Sequence, residues 1–141
     1  MRLPLRLSER RWLLAIVDAL LVALAVVLAL WIWALRDPRP VTRAFFHSRA
    51  QWLPLLTVLW LVLALLHDLY NLRTAADQKA TLFVLLQVCA AEVGVYLLIY
   101  FFSAPQRLLP RGIVLYHAGF SFVLVGLWRA VYLRLAQTAL R

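Results

Sequence analysis

The sequence predicts an all-α integral membrane protein, one bundle of four transmembrane helices with both termini on the same, cytoplasmic side. Three observations carry this expectation. Hydrophobic residues make up 65% of the 141 positions and charged residues only 15%, which is the composition of a membrane protein rather than of a soluble core. The apolar residues fall into four runs of helix length, and none alternates with the period of two that a membrane barrel requires. The fifteen basic residues, all Arg except Lys79, cluster between those runs. They mark ends that face headgroups rather than a stripe for nucleic acid.

The first run, residues 12–35, reads WLLAIVDALLVALAVVLALWIWAL. At 1.5 Å per residue it is ample for a hydrocarbon core of roughly 30 Å. It follows Arg2, Arg6, Arg10 and Arg11 but is too long for a signal-peptide h-region, and WIWALRDPRP lacks a small-residue cleavage site. It therefore reads as a retained helix, ended by Pro38 and Pro40, which cannot continue the hydrogen-bond ladder.

The second run, 52–67, opens at Trp52 with Pro54 in its first turn, where a missing N–H does little harm. The third, 81–102, stops before Pro105. The fourth, 112–133, follows LLPRG. Four spans place both termini on one side. The segments on that side hold nine basic residues against six on the other, a bias toward cytoplasmic termini. Trp12, Trp31, Trp33, Trp52 and Trp128 fall near span ends, where an amphipathic ring favours the interface.

Polar residues inside the spans are the candidates for chemistry. Asp18 lies near the cytoplasmic end of the first span and Arg129 near that of the fourth. Their depths differ by only ~3 Å, so they can pair if the helices are neighbours. A structural ion pair or snorkelling is the ordinary reading of such residues. Glu92 sits near the bilayer midplane of the third span. An ionised carboxylate is costly there, whereas the protonated acid is neutral and can donate a hydrogen bond. Gln87, Tyr96, Ser121 and His117 are its possible partners. A proton or ion path needs several such groups in series, and the third span supplies one acid.

His117 and His67 lie near opposite membrane faces, which excludes a bis-His haem with both ligands at one depth. His117, in LYHAGF with small residues beside it, could still ligate a haem or pigment singly. Gly119 and Gly126, seven apart, suit close helix packing. Cys89 has no second cysteine to pair with and reads as a small buried hydrophobe. The sequence contains no glycine-rich phosphate loop, no metal-ligand cluster and no Ser/His/Asp motif. The segments between spans are too short for a catalytic domain.

The layout resembles the N-terminal four-helix membrane region of the bacterial polyprenyl-phosphate hexose-1-phosphate transferases, which start exopolysaccharide and O-antigen assembly. The likeness rests on Asp18 in AIVDALLVAL, on Leu69, Tyr70, Asn71 and Arg73 in HDLYNLR, on Pro110 and Arg111 in LLPRGIVL, and on Trp128, Arg129 and Arg134 in GLWRAVYLRL. That family typically ends its second span Gly-Leu-Tyr-Asp. Here Asp68 stands for the Gly and Asn71 for the Asp, and Glu92 and His117 are not part of the pattern. In the family the four helices precede a cytoplasmic sugar-phosphate transferase domain with an acidic catalytic pair. This sequence stops eight residues after Leu133, so the resemblance carries over no catalytic residue.

The resemblance implies a non-catalytic scaffold or anchor in a bacterial inner membrane, associating with itself or with other membrane subunits. An alternative is an accessory subunit of a respiratory or photosynthetic complex that contacts lipid, quinone or pigment. A small transporter ranks third.

Overall fold

A computed structural model of the chain describes residues 7–36, 42–103 and 110–139. Every element among them is helical: α1 (Leu7–Arg36), α2 (Arg43–Arg49), α3 (Trp52–Leu66), α4 (Leu72–Ala76), α5 (Gln78–Phe102) and α6 (Arg111–Ala139). Arg2, Arg6, Pro38, Pro40 and Pro105, to which the sequence assigns flanking or helix-ending roles, lie outside the described residues.

The four predicted spans correspond to α1, α3, α5 and α6, each part of a helical stretch long and apolar enough to cross a membrane. The chain is thus multi-pass by the length and composition of its helices. Two short helices were not anticipated. In α2 the Thr42 side chain caps the first turn by accepting from the Phe45 N–H at 3.3 Å. In α4 the Asn71 side chain accepts from the Arg73 N–H at 3.1 Å. Asp77 then caps α5 by accepting from the Lys79 N–H at 2.9 Å, a negative charge at the positive end of the helix dipole.

Pro54 explains why α2 and α3 are two helices. It has no N–H to give to the Ala50 carbonyl one turn back, and its ring crowds that carbonyl. The ladder breaks there, with Leu53 N–H reaching Ala50 at 3.2 Å instead, while Ala50 and Gln51 keep right-handed backbone angles. Alone, the 15 residues of α3 rise only about 22 Å. The helical stretch from Arg43 to Leu66 supplies the length to cross.

The C-terminus of α3 closes with two reversed bonds, Asp68 N–H to Leu65 C=O at 3.2 Å and Leu69 N–H to Ala64 C=O at 3.0 Å. This is a Schellman cap, and Leu69 and Ala64, the two positions such caps commonly bring together, are both buried in one core cluster. The cap places Asp68 in the left-handed region, φ 56°. Glycine adopts this conformation freely, whereas a residue with a Cβ gives up roughly 1–2 kcal/mol.

The helices form a ring in which α1 neighbours α3 and α6, and α5 neighbours α3 and α6. Cross-contacts fix an antiparallel register around it. Asp18 meets Arg129, and at the other end Arg36 donates to the Tyr116 hydroxyl at 2.6 Å. Trp52 of α3 stacks edge-on against Tyr96 of α5, with centroids 5.5 Å apart. Gly126 of α6 lies over Leu82 and Leu85 of α5. The start of α1 and the end of α6 therefore share one end of the bundle, as four crossings demand.

Each long helix buries one stripe and leaves the rest of an apolar circumference outside. In α6 the stripe is Ile113, Val114, His117, Ser121, Val125 and Arg129. Large side chains such as Leu66 (73% exposed) and Phe102 (88%) point outward. In water this pattern would be unstable, but it suits lipid, where outward apolar groups lose nothing.

Candidate functional site

The stripe on α6 repeats every four residues, and three of its positions are polar: His117, Ser121 and Arg129. Four residues turn the helix by about 400°, so the stripe drifts slowly round α6. It faces α5 at His117 and α1 at Arg129. Two polar clusters result.

In the first, an Arg129 terminal nitrogen lies 2.6 Å from an Asp18 carboxylate oxygen, with side-chain exposures of 4% and 0%. The guanidinium also sits 5.3 Å from the centre of the Tyr70 ring, which adds cation–π attraction in a dry setting. Tyr70 comes from the loop after α3, drawn in by the buried Leu69 before it. Burial, and then the Asp18 carboxylate, push the Tyr70 hydroxyl well above the usual tyrosine range, against the opposing effect of Arg129. Among the described residues the second Asp18 oxygen, the Tyr70 hydroxyl and two Arg129 nitrogens make no hydrogen bond of good geometry. The pair is neutral overall but leaves polar capacity unused.

In the second cluster Glu92 and the ring of His117 approach to 3.3 Å, and both residues are fully buried. The other ring nitrogen lies 3.2 Å from the Ser121 hydroxyl one turn along. Of the partners open to Glu92, the structure selects His117, with Ser121 behind it. Gln87 is exposed, and Tyr96 stacks against Trp52. The carboxyl and imidazole sum to zero charge whether the proton sits on one or the other. A net-neutral pair is what a low-dielectric interior tolerates.

Ser121, His117 and Glu92 follow the order hydroxyl, base, carboxylate. That order is one arrangement used for nucleophilic catalysis, but the order alone does not make a site. All three are fully buried, and the backbone N–H groups around Ser121 belong to the helix ladder, so they cannot form an oxyanion site. Among the described residues the Glu92 oxygens and His117 Nδ1 make no hydrogen bond of good geometry, so the contact between them is a close polar approach rather than a formed bond.

His117 as a haem or pigment ligand meets a specific obstacle, since Glu92 and Ser121 stand at its two ring nitrogens and the residue has no exposed surface. An axial ligand needs one nitrogen open toward the macrocycle. Beside it, a Cβ on Gly119 would meet nothing within 4 Å, whereas one on Gly126 would touch Leu82 and Leu85. Only Gly126 of that pair sits against another helix. Cys89 is buried, in a cluster with Trp60. Among the described residues no group of three or more His, Cys, Asp or Glu could hold a metal ion.

Asp18, Arg129 and Glu92 were legible in the sequence as polar residues inside spans, and His117 as both a residue near one face and one of four possible partners of Glu92. The structure brings it to Glu92, because α5 and α6 pack with Glu92 opposite the second turn of α6. The spacing of His117, Ser121 and Arg129, which with Val125 fall at every fourth position, was the available signal. Polar residues in register with one face of a largely apolar helix mark the buried stripe.

Comparison with known proteins found no matching family model, no matching curated protein and no matching solved structure.

Proposed function

We propose that the chain is a non-catalytic membrane scaffold, a four-helix module that anchors or orients a partner in a bacterial inner membrane with both termini in the cytoplasm. The observation that carries this reading is the pairing of the buried ionisable groups. Asp18 meets Arg129, and Glu92 meets His117. Each pair joins neighbouring helices and is closed to solvent, which suits groups that hold helices together. A site that moves a substrate needs an opening at the reactive group. The basic bias between spans supports cytoplasmic termini. The resemblance to the membrane region of polyprenyl-phosphate sugar-phosphate transferases supports an anchor role.

The test is purification from the native membrane in mild detergent, followed by intact mass of this polypeptide and identification of what stays with it. Stoichiometric membrane partners, or a heavier chain carrying a cytoplasmic domain, fit a scaffold. A lone chain of 16.2 kDa that moves a solute across proteoliposomes, or turns over a substrate, contradicts it.

A further inference from the structure

Where α1 and α3 meet near their cytoplasmic ends, a half-open groove of about 860 Å³ lies between Arg11 and Trp12 on one side and Leu61, Leu65, Asp68 and Tyr70 on the other. We propose that this groove binds one bilayer phospholipid with an amine headgroup, such as phosphatidylethanolamine.

The first argument is charge. The groove carries one cation, Arg11, and one anion, Asp68, and neither has an ion-pair partner among the described residues. An anionic headgroup would satisfy Arg11 and be repelled by Asp68. A headgroup with both a phosphate and a primary ammonium matches both, the phosphate to the guanidinium and the ammonium to the carboxylate. The second argument is shape. Leu61 and Leu65 continue the groove along α3 as an apolar wall for an acyl chain, and Trp12, 67% exposed, stands where an indole marks the headgroup level.

The third argument is the cost at Asp68. It occupies the left-handed cap position where glycine is the undemanding choice, and it lines the groove. An unfavourable backbone state at a binding surface points to work for the side chain. Tyr70, only 7% exposed, also lines the groove, and among the described residues its hydroxyl has no well-formed hydrogen bond.

The experiment is native mass spectrometry of the delipidated chain in micelles, titrated separately with phosphatidylethanolamine, phosphatidylcholine and phosphatidylglycerol. The expected result is a single phosphatidylethanolamine adduct, at least fivefold more occupied than the phosphatidylglycerol adduct at equal lipid. Phosphatidylcholine should be intermediate, because its methylated amine cannot donate to Asp68. Asp68→Gly should abolish the preference while raising the melting temperature, which separates lost binding from lost folding. Leu61→Trp should fill the groove and reduce all adducts. Equal or stronger binding of phosphatidylglycerol, a preference unchanged in Asp68→Gly, adducts unaffected by Leu61→Trp, or no adduct at all would each overturn the proposal. So would self-association that excludes lipid from the groove.

Discussion

Arg129 and Asp18, 111 positions apart in the chain, meet at 2.6 Å and tie the last helix to the first. Arg129 also stacks on Tyr70, so one side chain joins α1, α6 and the loop after α3. A guanidinium presents a planar fork and a stacking face, and an ammonium offers neither. Arg129→Lys should therefore recover only part of what Arg129→Gln loses, and the loss in Arg129→Gln should be about 3–5 kcal/mol, because it strands a buried carboxylate. Equilibrium unfolding in lipid–detergent mixtures checks the order of the two variants.

The Glu92–His117 pair makes a different prediction. Glu92→Gln keeps a donor and an acceptor at the same reach, so unfolding should shift by less than about 1 kcal/mol. Glu92→Asp withdraws the carboxyl by one methylene from a contact already at 3.3 Å and should be the more damaging change. If Glu92→Gln unfolds readily and Glu92→Asp does not, charge rather than hydrogen bonding holds the pair.

Two glycines of α6 should respond in opposite directions to alanine. A Cβ at Gly112 would stand 2.9 Å from the Trp33 ring, and at the helix start it gains little propensity, so Gly112→Ala should cost about 1–3 kcal/mol. Gly119 lies mid-helix beside open space, and Gly119→Ala should stabilise by about 0.5–1 kcal/mol. Unfolding midpoints of the two variants test the close approach of α1 to α6 directly.

Tyr70 links pH to stability. Burial and the neighbouring Asp18 carboxylate raise its pKa in the folded protein, so the folded state holds a proton that the unfolded state releases near the ordinary tyrosine value of about 10. Its contribution is fully present below that pH and is lost as the pH climbs above it. Tyrosinate absorbance of the wild type minus that of Tyr70→Phe should stay flat through this range until the protein unfolds. A normal titration in that difference would place the hydroxyl in solvent.

Much of this architecture was legible in the chain, because membrane helices announce themselves by length and hydropathy. The four spans follow from runs of apolar residues, and the Asp18–Arg129 contact follows from matched depth once α1 and α6 are neighbours. Other features depend on geometry that no run displays. The break between α2 and α3 needed Pro54 to be set against a carbonyl one turn back. Choosing His117 among the four possible partners of Glu92 needed the relative heights of α5 and α6, which are set by packing rather than by composition. The groove depends on the turn after α3, where Asp68 adopts the left-handed conformation and the chain continues into Tyr70.

The account rests on buried charges that hold helices by pairing with each other. The most direct test replaces both partners at once, as Asp18→Leu with Arg129→Met, and compares unfolding in bicelles with each single change. The prediction is that each single change loses about 3–5 kcal/mol while the double variant returns to within about 1 kcal/mol of the wild type, since a matched apolar pair removes the stranded charge. A double variant that unfolds as easily as the worse single would contradict it, and would mean that Asp18 and Arg129 act through other groups.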